Sequence, residues 1–301
     1  MGIGGPGTAR TARTARTAGI VLAGGRSSRM GTAKAELDWH GVPLVARVAA
    51  LVARGVGGPV VVVRAPAQPL PPLPRRVEVV EDPVEGRGPL QGIAVGLAAL
   101  ADRADAAFVT ATDLPLLHPA YVRRVLALLG GPDAPDVVVP QVHGFPQPLA
   151  AAYRTTLSAL VTSLVADGVL RPPDLFERCR VLRPDEPALL ADPVLARLDP
   201  DLDSLLNVNT PQDWAAALAR QAPRVPVAES AAVRAHTLGE ARAALAVRVG
   251  TDAAVVLADA CRASTAADDP DTPLVTGDVL GVRAGPGPAR VVAEDKSGRP
   301  D

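Results

Sequence analysis

The residue types best suited to chemistry lie in one loop near the N-terminus. Residues 22–34 read LAGGRSSRMGTAK and combine paired glycines, hydroxyls, two arginines and a terminal lysine. Glycines let backbone N–H groups approach an anion, and Arg29 and Lys34 add positive charge, so the loop is predicted to bind phosphate. A solvated basic turn is the plainer alternative. The glycine spacing differs from a Walker A loop and no Ser or Thr follows Lys34, which disfavours a P-loop ATPase or GTPase.

A second candidate is Asp113, which directly follows the predicted strand 106–112. A carboxylate at the carboxyl end of a strand, beside a phosphate loop, is well placed to hold Mg²⁺ against a triphosphate. Aspartate is also common in turns, and His118-Pro119 is predicted to begin the next helix, so a turn role is the alternative. The histidines are spread over separate contexts and are expected to be structural or exposed.

Short apolar strands alternate with helical segments along most of the chain. Continuous valine runs predict strands buried on both faces, as in a parallel sheet covered by helices. We therefore predict a doubly wound α/β fold with a mostly parallel, Rossmann-like sheet, in which ligands bind beyond the carboxyl ends of the strands. The predicted strands are 19–22, 59–63, 76–80, 106–112 and 136–140, and the predicted helices are 43–54, 90–101 and 119–129.

Composition excludes several function classes. The 301 residues suffice for one large domain and a small appendage. The net charge of −1 and the lack of a long basic run argue against a nucleic-acid partner. Cys179 and Cys261 lie far apart, which indicates neither a disulfide framework nor a zinc site and fits a reducing cytoplasm. No apolar run approaches the ~20 residues of a membrane span.

Composition shifts divide the chain into four predicted segments. Thr-Ala-Arg occurs three times near the start, which indicates a disordered leader. Pro223 and Pro226 are expected to form a linker to a small α+β module. In that module Thr237 and Glu240 predict a capping box before a helix at 241–247, with strands at 231–235 and 253–258. The segments are a leader (1–16), a main domain (17–222), the module (227–285) and a disordered tail (286–301).

The loop at 22–34 resembles the signature of the nucleotidyltransferases typified by molybdenum cofactor guanylyltransferase, and the likeness extends over residues 17–222. The resemblance implies that Arg29, Lys34 and Asp113 act in catalysis and that Asp113 is the metal ligand for Mg²⁺. The paired glycines and Asp82 favour guanine, although Arg64, which cannot accept a hydrogen bond, stands where these enzymes commonly have asparagine. The implied nucleotide contacts are Leu22, Ala23, Gly24, Gly25, Lys34, Asp82, Gly92 and Asp113.

Three further stretches resemble parts of the same family that face the acceptor substrate. The first implies Gln147 and Pro148 as acceptor contacts, and a Gly-x-x-Arg pattern implies that Arg171 binds the acceptor phosphate. The Asn-x-Asn-Thr-Pro pattern implies metal and substrate contacts for Asn207 and Asn209, with Asn209 a metal ligand beside Asp113. Independently of function, Thr210, Pro211 and Asp213 are predicted to begin a helix.

The expected reaction is transfer of GMP from Mg·GTP to the phosphate of molybdopterin, with release of pyrophosphate. Cytidylyl transfer to the same cofactor, nucleotidyl transfer to a small phosphorylated acid or sugar, and non-catalytic nucleotide binding are the alternatives. Residues 273–282 resemble part of the small ubiquitin-like sulfur carriers, which implies a β-grasp module that could dock a protein partner. Its sulfur-carrying chemistry is not expected, because the chain ends KSGRPD and not in Gly-Gly.

Overall fold

A computed structural model describes residues 15–24, 34–130, 134–227, 230–249, 253–258 and 269–284. They form two compact units, the first extending to Arg220 and the second beginning at Gln221. Most of the predicted leader and the whole predicted tail lie outside the described residues. The leader prediction is wrong at Arg16, whose backbone N–H donates to Asp105 Oδ2 at 2.8 Å and so belongs to the folded unit.

The first unit alternates strands and helices. Its strands are β1 (Thr17–Leu22), β2 (Asp38–Trp39), β3 (Val42–Pro43), β4 (Val60–Arg64), β5 (Val77–Glu81), β6 (Ala106–Ala111), β7 (Val137–Val138), β8 (Gln141–Val142), β9 (Phe145–Pro146), β10 (Ala150–Arg154) and β11 (Val181–Leu182). Its helices are α1 (Leu44–Val56), α2 (Pro89–Leu100), α3 (Pro119–Ala127), α4 (Ser158–Ala166), α5 (Pro172–Phe176), α6 (Glu186–Leu190), α7 (Pro193–Leu198) and α8 (Pro211–Leu218). Short 3-10 turns occupy Lys34–Glu36, Thr155–Leu157 and Asp203–Leu205.

Within the described part of this unit, seven strands form one sheet in the order β11-β7-β10-β6-β1-β4-β5. The central strand β1 is parallel to both β4 and β6, and β4 is parallel to β5. Strand β10 runs antiparallel between β6 and β7. The predicted α/β fold with a mostly parallel sheet is therefore confirmed.

Helices cover both faces of β1 at close range. A Cβ added to Gly19 in β1 would lie 2.2 Å from Val52 Cγ1 of α1. On the opposite face, a Cβ added to Gly96 of α2 would lie 2.6 Å from Ile20 Cγ2. Distances this short leave no room for a side chain, so glycine lets each helix pack directly on the strand. The valine-rich interior of the sheet is accordingly buried.

Two parts of the sheet differ from the prediction. Strand β7 covers Val137–Val138, and not 136–140, and Pro140 has no N–H to extend a ladder. Strand β10 was not predicted, because its Ala-Ala-Ala-Tyr run has weak intrinsic strand preference. Pairing with β6 and β7 on both sides decides its conformation.

The second unit is a small α+β module, as predicted. It contains β12 (Arg224–Val227), β13 (Ser230–Arg234), α9 (Leu238–Val249), β14 (Ala253–Ala258) and β15 (Val279–Ala284). The strand order is β13-β12-β15-β14, with β12 parallel to β15 and the outer pairs antiparallel. The ubiquitin-like character of this module stays a prediction. Among the described residues of the chain, no helix combines the length and apolar character needed to cross a bilayer.

The predicted linker at 223–226 is wrong, because Pro226 lies inside β12. The register of β12 against β13 shifts between Val225 and Val227, which places the proline, with no N–H to donate, at an irregularity of the ladder. The predicted capping box is present in altered form: Glu240 N–H donates to Thr237 Oγ1 at 3.2 Å, while Glu240 Oε2 accepts the N–H of His236. Helix α9 begins earlier and ends later than the predicted 241–247.

Candidate active site

The parallel strands bring several predicted site residues to one edge of the sheet. Ala23 follows β1, Asp82 follows β5 and Asp113 comes two residues after β6. Because β1, β4, β5 and β6 are mutually parallel, their carboxyl ends meet at the same edge. The fold therefore collects residues that are far apart in the chain.

At this edge Lys34 contacts the two residues predicted to bind metal. Its Nζ lies 3.2 Å from Asp113 Oδ2 and 2.7 Å from Asn209 Oδ1. The Lys34 and Asp113 side chains are only 19% and 21% exposed, which limits screening of this pair by water. We call Lys34, Asp113 and Asn209 the lysine cluster.

Hydrogen bonds hold Asn209 beside Asp113. The N–H of Val208 donates to the carbonyl oxygen of Asp113 at 2.9 Å. The predicted start of α8 is confirmed as a capping box, in which Asp213 N–H donates to Thr210 Oγ1 and Asp213 Oδ2 accepts the N–H of Thr210. Asp213 Oδ2 also accepts the N–H of Asn209 at 3.1 Å. The Thr210 hydrogen bond and these backbone donors lower the pKa of the Asp213 carboxyl.

A tryptophan pair joins the segment that carries Lys34 to the helix that follows Asn209. Trp39 in β2 and Trp214 in α8 are packed edge to face, with ring centroids 5.7 Å apart. The Arg47 guanidinium lies over the Trp39 ring at 4.8 Å, and Arg47 Nε donates to the carbonyl of Pro115 at 2.8 Å. The sequence interpretation missed this pair, although the chain has just two tryptophans and the stretch 38–43 has the turn of a hairpin.

The oxygen atoms of the lysine cluster suit a magnesium ion that is shared with a phosphate. Mg²⁺ prefers hard oxygen ligands and is commonly held by one or two carboxylates together with substrate phosphates and water. Asp113 supplies a carboxylate and Asn209 a carbonyl oxygen, and both reach the same ammonium group. Within the described ranges, no group of three or more His, Cys, Asp and Glu side chains could hold a metal. The two oxygen atoms fit a Mg²⁺ ion whose other ligands are phosphate oxygens and water.

The predicted phosphate-binding loop at residues 22–34 is called the nucleotide loop below. Its described start packs closely on β4. Ala23 N–H donates to the carbonyl of Val63 at 2.8 Å, and a Cβ added to Gly24 would lie 3.3 Å from the Ala65 nitrogen. The close contact favours glycine at 24, because a larger residue would require the Ala65 backbone to shift slightly. Gly25 and Arg29 lie outside the described residues, so their predicted roles stay predictions.

Packing accounts for Gly92. A Cβ added there would lie 3.0 Å from Leu22 Cδ2, so the glycine brings the first turns of α2 onto the end of β1. Its predicted contact with the nucleotide stays a prediction. Leu22 itself is buried and faces α2.

Asp82 is predicted to accept hydrogen bonds from the nucleotide base, and it is already hydrogen-bonded to neighbouring residues. Its N–H donates to the carbonyl of Arg64 at 2.8 Å, and its Oδ1 accepts the N–H of Val84 at 3.0 Å. The Arg64 guanidinium donates to Glu81 Oε2 at 2.8 Å. The charge introduced by Arg64 is thus paired with a carboxylate of the adjacent strand.

The predicted acceptor contacts Gln147 and Pro148 flank the end of β6. In β10, Ala150 lies opposite Thr110 near the carboxyl end of β6, and its N–H donates to the Gln147 carbonyl at 3.1 Å, which closes a turn. Gln147 N–H donates to the Pro140 carbonyl, and the Pro148 carbonyl accepts the Tyr153 hydroxyl at 2.8 Å. These bonds fix the segment within the first unit, and its predicted contact with the acceptor stays a prediction.

Arg171 and Asn207 are less closely tied to the lysine cluster. The Arg171 side chain is 77% exposed and forms an ion pair with Asp174 at 3.3 Å. The preceding residue, Leu170, accepts the N–H of Leu90 and so lies at the start of α2. Asn207 is exposed, and no contact in the described part of the chain joins it to the lysine cluster.

Comparison with known proteins identifies the family. The family model described as MobA-like NTP transferase domain matches residues 19–178, more than half of the chain. A probable molybdenum cofactor guanylyltransferase of Mycobacterium avium (strain 104) is 40% identical over 153 residues, which cover 50% of this chain and 76% of that protein. Its counterpart in Mycobacterium tuberculosis (strain ATCC 25618 / H37Rv) is 40% identical over 173 residues, which cover 55% and 82%.

A solved structure supports the fold. The crystal structure of molybdopterin-guanine dinucleotide biosynthesis protein A from Archaeoglobus fulgidus superposes with a TM-score of 0.53 at 23% identity, covering 66% of this chain and 96% of that one. At this identity the likeness concerns the fold alone. The family match and the 40% identical relatives carry the assignment further. The chain therefore belongs to the MobA-like NTP transferase domain family and is a nucleotidyltransferase.

Proposed function

We propose that this enzyme transfers GMP from Mg·GTP to the terminal phosphate of molybdopterin and releases pyrophosphate. The observation that carries the proposal is the lysine cluster, in which one ammonium group lies within 3.2 Å of Asp113 Oδ2 and Asn209 Oδ1. The relatives that share 40% identity are named probable molybdenum cofactor guanylyltransferases, which supports this pair of substrates.

Charge neutralisation is the main task of such a site, because two polyanions must meet. We assign Asp113 and Asn209 to the metal, and Lys34, with Arg29, to the triphosphate. Bound Mg²⁺ neutralises the phosphates and polarises the bond between the α-phosphorus and the leaving group. Lys34 exchanges its contacts with Asp113 and Asn209 for phosphate oxygens when the nucleotide binds. The Val208 hydrogen bond keeps the two oxygen ligands together during this exchange.

The bond changes need no general base. A phosphate oxygen of the acceptor forms a bond to the α-phosphorus of GTP, and the bond from that phosphorus to the bridging oxygen breaks to release pyrophosphate. The nucleophile is already an anion, so no proton has to be removed. Catalysis then consists of alignment and charge stabilisation. Gln147, Pro148, Arg171 and Asn207 are proposed to align the acceptor.

Pyrophosphate release by the full chain tests the proposal. We expect release with Mg²⁺, GTP and molybdopterin together, and background release when any one of the three is omitted. Turnover that requires another acceptor would replace molybdopterin in the proposal. Calorimetric binding of GTP without turnover in the presence of every acceptor would support a non-catalytic nucleotide-binding protein.

A second candidate is cytidylyl transfer to the same cofactor, which Arg64 would favour if its guanidinium turned from Glu81 and Gln68 to the base. Its guanidinium carries donors only, whereas the Watson–Crick edge of guanine presents an N–H and an amine that need acceptors. Cytosine presents two acceptors, O2 and N3. Pyrophosphate release with CTP in place of GTP distinguishes the two reactions. The predicted docking of a protein partner through the second unit stays a separate prediction.

A further inference from the structure

The side chain of Gln68 links the start of the nucleotide loop to the loop after β4. Its Nε2 donates to the carbonyl oxygen of Ala23 at 3.1 Å, and its Oε1 accepts the N–H of Ala65 at 3.0 Å. One carboxamide thus satisfies a backbone acceptor on one segment and a backbone donor on the other. A group with only donors or only acceptors could not make both bonds.

These two bonds continue the ladder between β1 and β4. The N–H of Ala23 donates to the Val63 carbonyl at 2.8 Å, beyond the paired residues of the two strands. The carbonyl of Ala23 in turn accepts the bond from the Gln68 side chain. The carboxamide acts here as an additional peptide group. It holds Ala23 at the point where the chain leaves β1 for the glycine pair.

Gln68 is itself held in place by charged groups from two strands. Arg64 Nη1 donates to the backbone carbonyl of Gln68 at 3.1 Å, and Arg64 Nη2 donates to Glu81 Oε2 at 2.8 Å. Glu81 Oε2 also accepts the N–H of Ala67 at 3.3 Å. Ala67 has a φ of +53°, a conformation that non-glycine residues adopt uncommonly and that neighbouring contacts must maintain. The arginine at 64 therefore supports the short loop that presents Gln68.

We propose that Gln68 is a positioning residue for the nucleoside triphosphate. By binding the Ala23 carbonyl it fixes the plane of the peptide between Ala23 and Gly24, and so the direction of the Gly24 N–H. The inference rests on the proposed function, in which this loop binds the triphosphate. Its effect is expected on nucleotide binding more than on the chemical step.

Replacing Gln68 by glutamate gives a test with a distinctive pH dependence. An ionised carboxylate accepts the Ala65 N–H but places a negative oxygen against the Ala23 carbonyl, whereas a protonated carboxyl can donate to that carbonyl. We expect Gln68→Glu to raise the KM for GTP about tenfold at pH 8 and to change kcat less. As the pH falls toward 5, the KM of the variant should approach that of the wild type. Dividing the KM of the variant by the KM of the wild type at each pH corrects for the pH dependence of the wild-type enzyme.

Two further variants control this experiment. Gln68→Met has a similar shape but makes neither bond, so its KM defect should be the same at every pH. Glu78→Gln removes another carboxylate of β5, which is paired with Arg103 through bonds of 2.7 and 2.5 Å, and should leave the KM ratio near one throughout. Thermal unfolding of each variant shows that the fold is intact.

The outcomes separate this inference from the proposed function. The role of Gln68 would be overturned if the Gln68→Glu enzyme had the wild-type KM at pH 8, or if its KM defect did not change with pH. Turnover by the wild type would still uphold the proposed reaction. If the wild type binds GTP by calorimetry but releases no pyrophosphate, the dissociation constant replaces KM in the same comparison. If it binds no nucleoside triphosphate at all, both proposals are wrong.

Discussion

Two corners of the same sheet edge use charge in different ways. In the lysine cluster, the Lys34 ammonium meets the side chains of Asp113 and Asn209, which are 79 and 175 residues away in the sequence. At the other corner, Arg64 and Glu81 lie on adjacent strands and bind backbone groups of the loop that carries Gln68. The first arrangement can pass its contacts to a ligand, whereas the second stabilises the protein chain. Charged groups are therefore proposed to serve chemistry in one corner, and they support the protein chain in the other.

Removal of Asp113, the proposed metal ligand, is expected to have the largest effect on this contrast. Asp113→Ala should lower kcat/KM for pyrophosphate release by about 10²–10³, since a charged contact in a preorganised site stabilises the transition state by roughly 2–4 kcal/mol. Asp203→Ala, which removes a surface partner of Arg220, is the matched control and should retain activity. Near-wild-type turnover by the Asp113 variant would reject the metal assignment.

Loss of the ammonium group should follow closely. Lys34→Ala is expected to lower kcat/KM by about 10², because the triphosphate loses a cation while Asp113 and Asn209 still bind metal. Raising the Mg²⁺ concentration should recover little of this loss. A variant that regained full activity with added Mg²⁺ would show that Lys34 serves mainly to offset the charge of Asp113.

Truncation of one tryptophan tests how the lysine cluster is held together. Trp214→Ala removes the edge-to-face contact with Trp39, and we expect about 2 kcal/mol of lost stability and roughly a tenfold loss of kcat/KM. Chemical denaturation and pyrophosphate release measure the two effects. Val194→Ala, at a residue that is 40% exposed, should change neither. Unaltered activity in the Trp214 variant would mean that the Val208 and Asp213 hydrogen bonds position Asn209 without the tryptophan contact.

At the other corner, a selectivity measurement separates scaffolding from base recognition. We expect Arg64→Asn to lower kcat/KM severalfold for both GTP and CTP, because the side chain supports the loop of Gln68. The ratio of the two values should stay the same. A shift of that ratio by tenfold or more would mean that Arg64 reads the base directly.

The smallest expected effect concerns the capping box of α8. Thr210→Ala should destabilise the fold by about 1 kcal/mol, as measured by denaturant unfolding at neutral pH. The Thr210 side chain helps to lower the pKa of the Asp213 carboxyl from its ordinary value of 3.8. The ionised carboxylate therefore stabilises the fold above pH 3.8, and this stabilisation is lost as the pH falls through the folded-state pKa. The difference between wild type and variant should therefore shrink in acid. A difference that grows below pH 3.8 would contradict this account.

Local patterns predicted much of the catalytic unit. The strand before the glycine pair, the valine strand β4 and the proline start of α8 are short-range features, and each occurs close to its predicted place. The alanine strand β10 and the proline inside β12 were missed, because their conformations depend on pairing with distant strands. Gln68 was missed because no motif marks a carboxamide that joins the Ala65 N–H, three residues before it, to the Ala23 carbonyl on a distant segment.

The amino-acid sequence by itself determined the family, the order of the catalytic elements and the residue types that can bind a metal triphosphate, since these depend on composition and spacing along the chain. Only the tertiary structure decided that Asp113 and Asn209 converge on one ammonium group, that two tryptophans join their segments, and that Arg64 supports a loop. The first two join segments distant in sequence, through strand pairing and side-chain packing that no local pattern encodes. Arg64 binds Gln68 only four residues on, but its second partner, Glu81, is brought to it by the pairing of β4 with β5.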